Sequence, residues 1–367
     1  MHLGCVLLLA LVPALRWWPM VSSTDMPLSD EIPYFAAFER VAAGESPYDG
    51  SDYLYTPVFA FAGAWSMENL GHDATVALLR GINFLGLAMT IWCALAWFRW
   101  TLVQRLVVGS AVMLMAPQVS YSVLFGNLSL AVCGLILSGL VLAPRRPLLA
   151  GLLLGVSIVL KPIAPLAVGC LFLRPARAGG RRQMVAGAVA AVVVAVLILI
   201  FPYRDGFFDL LSTDRVSRTV SLHRFPKLLG FDISILWVSL PIALAAAALV
   251  LRGGLGRSRF LCLALTASVA STPVVWSHTL LLLLPVQALA LAVVLDRWRT
   301  RRADDAHRLP RWVEPALVLL AVAGLQFASG AGGIDDQGLL LQAVGTAIPA
   351  LAPFVLLGYV LHHTESF

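Results

Sequence analysis

The amino-acid sequence predicts an all-α polytopic membrane protein of about 10–12 transmembrane helices, with interfacial helices in its first external loop. Three observations lead there. Of the 367 residues, 59% are hydrophobic and only 13% charged, and the mean hydropathy is +0.86, too little polar surface to cover a water-soluble globule. Apolar stretches of roughly 18 residues or more recur from end to end, each long enough to cross about 30 Å of hydrocarbon as a helix. Runs such as "MVAGAVAAVVVAVLILIF" are apolar on every side, whereas barrel strands would alternate with period two.

Taken in order, the apolar windows lie near 3–20, 74–98, 104–117, 127–143, 148–160, 163–173, 184–201, 233–251, 258–275, 277–295, 312–331 and 338–361. The first lacks Lys or Arg in its leading residues and no A-x-A-like site follows it, so it reads as an uncleaved span rather than a signal peptide. The pair flanking "LKPIAP" is short on both sides. Pro162 and Pro165 break the helix between them, which leaves two crossings or a re-entrant element as alternatives.

Charge orients these spans. Arginines from Arg99 and Arg105 through Arg145, Arg146, Arg181 and Arg182 to the "DRWRTRRADDAHRLPRW" stretch fall on one set of alternate loops. By the positive-inside bias that side is cytoplasmic, which puts the amino terminus inside. The net charge of +6 is therefore topological and not the footprint of a nucleic-acid binder. Five cysteines, Cys5, Cys93, Cys133, Cys170 and Cys262, lie within apolar runs without paired spacing and read as small core residues. The chain reads as one polytopic domain over residues 1–367, with two sizeable outer loops at 21–73 and 202–232. Chemistry is expected outside. In the first loop, "PYFAAFERVAAGE" has helical spacing and "YTPVFAFAGAWSMENLG" is apolar behind a proline, and these are the expected interfacial helices.

Ionisable groups near apolar segments are expensive and therefore informative. Asp30, in "SDEIPY", faces either a protein cavity at the membrane surface or simply water, as its neighbour Glu31 would. Lys161, one of only two lysines with Lys227, either snorkels to the outer interface or binds an anionic group such as a phosphate. His278, in "STPVVWSHTLLLLLP", opens a span behind a candidate interfacial anchor, Trp276. The outer loop with Arg204, Arg215, Arg218, His223, Arg224 and Lys227 breaks the positive-inside trend; lipid or substrate phosphate and a salt-bridged loop are both readings of it. Asn127, in "LFGNLSLAV", is expected to cap the helix that follows. No tight Asp-x-Asp or His-rich spacing supports a metal, and no cofactor is expected.

The order of these features resembles the polyprenyl-phosphate-mannose-dependent alpha-1,6-mannosyltransferase family of the C-type glycosyltransferase superfamily, which is DUF2029-like. The matching residues are Asp30 and Tyr34 after the first span, "GESPY" from Gly44 to Tyr48, and "YTP" from Tyr55 to Pro57. Then come "FGNLSL", with Asn127 where Gln is usual, "GLLLGVSIVLKP" ending at Lys161 and Pro162, and "STPVVWSH" with Trp276 and His278. The resemblance implies an inverting hexosyltransferase in the cell membrane, acting on the external face in cell-envelope glycolipid biosynthesis. Its partners would be a polyprenyl-phosphate-sugar donor, a glycolipid or glycan acceptor and the surrounding lipid. Asp30 would be the catalytic base. Lys161, His278 and Arg224 would hold the donor phosphate, with Tyr34, Tyr48, Tyr55, Asn127 and Trp276 lining the substrate. The same pattern covers arabinofuranosyl transfer from a polyprenyl-phosphate-arabinose donor. A lipid-linked substrate transporter or flippase is the rival from another class, although no internal repeat is evident.

Overall fold

The computed structural model describes residues 28–49, 53–97, 119, 122–123, 126–163, 165–174, 180–212, 224, 234–272, 277–300, 313, 316–318, 320–322 and 339–363. The windows expected at 3–20 and 104–117, and most of 312–331, lie outside the described residues. Among the described residues there is helix and no strand. The chain forms two compact units, Met1–Cys93 with Val119–Asp214, and Ala94–Gln118 with Arg215–Phe367.

The first unit begins with α1 (Glu31–Ala42), whose Glu31 lies in the first turn and Arg40 in the last, each on the side the helix dipole favours. Next is α2 (Pro57–Leu70), with proline at its first position, where the missing N–H costs nothing. Together α1 and α2 enclose an aromatic core of Tyr34, Phe35, Phe38, Tyr53, Tyr55 and Phe59, largely in edge-to-face pairs. The long α3 (His72–Trp97) follows, then α4 (Ser129–Leu142), α5 (Pro147–Leu160), α6 (Pro165–Leu173), α7 (Gly180–Ile200) and the short α8 (Arg204–Ser212).

Helix α5 packs between α4 and α7. The "GLLLG" motif explains how α7 comes so close. A Cβ on Gly151 would strike Val189 and the Ala186 carbonyl, and one on Gly155 would strike Val193 and approach the Ala190 carbonyl. Small residues one turn apart let two backbones meet without the side chains that would hold them apart. Helix α5 ends at Lys161, in extended conformation (φ −152°, ψ 117°), because Pro162 disfavours helical dihedrals at the residue before it. Lys161 is therefore fixed at a helix end by sequence-local chemistry.

In the second unit, α9 (Ile235–Arg252) starts at Ser234, whose hydroxyl accepts from Leu236 N, and stops at Gly253 with φ 76°. It packs on α10 (Arg257–Ser271), which is buried along most of its length and also touches α12 (Leu339–His363). Between them in sequence lie a 3₁₀ segment, Ser277–Leu283, and α11 (Leu284–Thr300). The single span expected at 277–295 is thus a 3₁₀ turn leading into a helix, with Pro285 near the junction in the first turn, where its missing N–H is tolerated.

The expectation of 10–12 full spans is met only in part. Among the described residues, two helical stretches, His72–Cys93 and Gly180–Ile200, are long and apolar enough to cross a membrane, while Ser129–Leu142, Pro147–Leu160, Leu236–Arg252, Leu280–Val294 and Ala350–His363 are apolar but shorter. A helix of 14 residues such as α5 rises about 21 Å, short of a hydrocarbon core of about 30 Å. Large apolar side chains nonetheless point outward along whole helices: Val185, Val192, Val196, Leu199 and Ile200 on α7, and Leu236, Trp237, Leu240, Leu244 and Leu251 on α9. Such surfaces suit hydrocarbon and not water.

Candidate active site

Two neighbouring carboxylates at the start of α1 have different surroundings. Glu31 is fully buried, and its two oxygens accept from Arg80 Nε at 2.8 Å and Arg80 Nη2 at 2.7 Å, a bidentate pair between α1 and α3. Its Oε2 also accepts from the backbone N–H of Leu28 at 2.9 Å. Asp30 occupies the N-cap position but makes no capping bond. Its carboxylate instead accepts, through Oδ2, from Asn127 Nδ2 at 2.6 Å, across 97 residues of sequence.

The turn that delivers Asn127 is specified by Gly126. At φ 71° this residue adopts a left-handed backbone, and a Cβ there would strike the Glu31 side chain. Glycine therefore lets the 126–129 turn lie directly on the Glu31–Arg80 pair, which brings Asn127 beside Asp30. The helix cap proper is Leu128, not Asn127 as the motif implied. Asn127 closes an Asx turn, its Oδ1 accepting from the Ser129 N–H at 2.9 Å.

Lys161 completes the cluster from the end of α5. Its Nζ donates to Ser129 Oγ at 2.9 Å and to Asn127 Oδ1 at 3.3 Å, and stands 5.7 Å from the centre of the Tyr55 ring. Beneath it, the Tyr34 hydroxyl donates to the Tyr55 hydroxyl at 2.6 Å. The Thr56 hydroxyl donates to the Val159 carbonyl at 2.5 Å, which ties the "YTP" segment to the last turn of α5. Burial raises the Asp30 carboxyl above its ordinary 3.8, outweighing the Asn127 hydrogen bond and the Lys161 charge that pull it down. Burial likewise lowers Lys161 from 10.5 to about 8, against the attraction of Asp30. The outcome is a half-buried base and a half-buried cation joined through one carboxamide. One carboxylate oxygen of Asp30 is bonded and no described residue bonds the other.

The structure thus brings Asp30, Asn127, Lys161, Tyr34 and Tyr55 together in the first unit. Tyr48 is one step away, its hydroxyl donating to the Tyr55 carbonyl at 2.9 Å, so it braces the backbone under the cluster. Arg224 belongs to the second unit and is buried there. His278 lies in the 3₁₀ segment of that unit with its side chain outside the described residues, and Trp276 lies outside them altogether. Sequence reasoning passed over Ser129, Arg80 and the pairing of Glu31. For Arg80 a signal exists, since an arginine inside the apolar run "ATVALLRGINFLGL" needs a buried acid as partner. For Ser129 there is none beyond its place two residues after Asn127.

No family model matches the chain, and no curated protein does. A solved structure with which it can be aligned is apo ArnT from Cupriavidus metallidurans, at 17% identity and a TM-score of 0.44 over 98% of this chain and 77% of that one. The likeness is too distant to bear on the chemistry.

Proposed function

We propose that the chain is an integral-membrane, inverting glycosyltransferase that moves a sugar, mannose in the first instance, from a polyprenyl-phosphate donor to a glycolipid or glycan acceptor on the outer face. The observation that carries this reading is the Asp30–Asn127–Lys161 arrangement: one carboxylate and one ammonium, distant in sequence, held together in a chain with only 13% charged residues. Asp30, through the oxygen that Asn127 does not hold, takes the proton of the acceptor hydroxyl. The hydroxyl oxygen then forms its bond to the anomeric carbon as the bond from that carbon to the phosphate oxygen breaks. The electron pair leaves on polyprenyl phosphate, whose growing negative charge Lys161 offsets. One displacement inverts the anomeric configuration.

The test is to incubate purified protein in lipid nanodiscs with polyprenyl-phosphate-mannose and, in parallel, polyprenyl-phosphate-arabinose, each with a glycolipid acceptor. Release of polyprenyl phosphate from the mannose donor is expected. Release from the arabinose donor alone would reassign the sugar, and passage of intact donor across the bilayer without cleavage would replace the enzyme with a flippase.

Two expectations follow for this assay. Activity is lost as pH falls through the raised Asp30 value, since the base must be ionised, and is lost again as pH rises past about 8, where Lys161 sheds its proton. A bell with its alkaline limb near pH 8 is the predicted profile of kcat/KM, and a flat profile from pH 7 to 10 would contradict the role of Lys161. Lys161→Ala should raise the KM for donor roughly 10–100-fold, the worth of one hydrogen bond to a charged group. The KM for acceptor should stay near wild type; equal changes in both constants would rule out phosphate binding by Lys161.

A further inference from the structure

We infer that Ser129 is a positioning residue that fixes the Asn127 carboxamide between Asp30 and Lys161 and so links the base to the cation, an inference that rests on the reading above. The bonds around its hydroxyl have only one consistent assignment. Ser129 Oγ accepts from Lys161 Nζ at 2.9 Å, and its single proton goes to Asn127 Oδ1 at 2.5 Å. Asn127 Oδ1 therefore collects three donors, the Ser129 hydroxyl, the Ser129 N–H and the Lys161 ammonium. Turning the amide over would set Nδ2 against the Ser129 N–H and the Lys161 ammonium, which can only donate, and oppose Oδ1 to the Asp30 carboxylate. That arrangement is excluded, so Nδ2 must face Asp30.

The orientation has a chemical consequence. Donors gathered on Oδ1 draw electron density from the amide and strengthen the Nδ2–H bond to the carboxylate, so part of the Lys161 charge is felt at Asp30 through bonds as well as through space. The bond also restrains Asp30 by holding one of its carboxylate oxygens in place. Ser129 is itself fully buried and its backbone position is set by the Gly126 turn, so its hydroxyl has little freedom to do anything else. Among the described residues, the other titratable or charged groups close to the network are Glu31, paired with Arg80, together with Tyr34, Tyr55 and Cys133. Ser129→Ala removes none of them.

The experiment is a pH titration of the Asp30 carboxyl by difference infrared spectroscopy on the full-length protein in nanodiscs, with Asp30→Asn as the subtraction that isolates its band. Ser129→Ala should move the midpoint upward by about half a pH unit, since the carboxylate loses part of its stabilisation. Ser129→Thr, which keeps the hydroxyl, should leave the midpoint in place, and the acid limb of the transfer reaction should follow the same pattern. A wild-type midpoint in Ser129→Ala, or equal shifts in the Ala and Thr variants, would overturn the inference. Because the titration requires no substrate, the expected shift together with inertness toward both sugar donors would uphold the role of Ser129 while removing the proposed reaction.

Discussion

Asp30→Asn is expected to lower transfer from polyprenyl-phosphate-mannose by about 10²–10⁴-fold, the range that a positioned general base contributes. The substitution is nearly isosteric, and an asparagine oxygen can still accept from Asn127 Nδ2, so the cluster keeps its shape. Nor does α1 lose its start, because Asp30 makes no capping bond. What disappears is the group that takes the proton. Turnover measured at matched amounts of folded protein, with a thermal melt close to wild type, is the check; turnover within a few-fold of wild type would remove Asp30 from the mechanism.

At the adjacent position the expectation reverses. Glu31→Gln should cost about 3–5 kcal/mol of stability, because it removes the carboxylate that pairs with the Arg80 guanidinium, itself only 4% exposed. The damage would reach the site secondarily, since the 126–129 turn rests on Glu31. Replacing both partners with apolar residues, Glu31→Leu with Arg80→Met, should recover much of the loss, as the cost lies in an uncompensated buried charge rather than in the absence of the pair. Thermal unfolding in one detergent compares the three proteins. A Glu31→Gln variant that melts with wild type would show the pair to be dispensable.

Much of the helical framework is legible in the sequence because its punctuation is local. Pro147 and Pro162 bound α5 at 147–160, one residue from the window read off hydropathy, and Pro57 opens α2. The expected span at 277–295 fails over Ser277–Leu283, since hydropathy cannot tell a 3₁₀ segment from an α-helix. The site is harder. Asp30 and Glu31 are the same chemistry one position apart, and only the approach of α3 decides which is neutralised. Lys161 reads equally as a snorkelling cation or an anion binder until Asn127 and Ser129 are seen around it. Tertiary contacts between segments 34 and 97 residues apart leave no periodic trace in the chain.

A single displacement at a sugar carbon by the Asp30–Lys161 cluster must invert the anomeric configuration. The most direct measurement is the anomeric configuration of the product that purified protein makes from polyprenyl-phosphate-mannose, determined by NMR beside the Asp30→Asn control. The account predicts a product of configuration opposite to the donor, formed by wild type and lost with the carboxylate. Retained configuration, or undiminished product from Asp30→Asn, would contradict it.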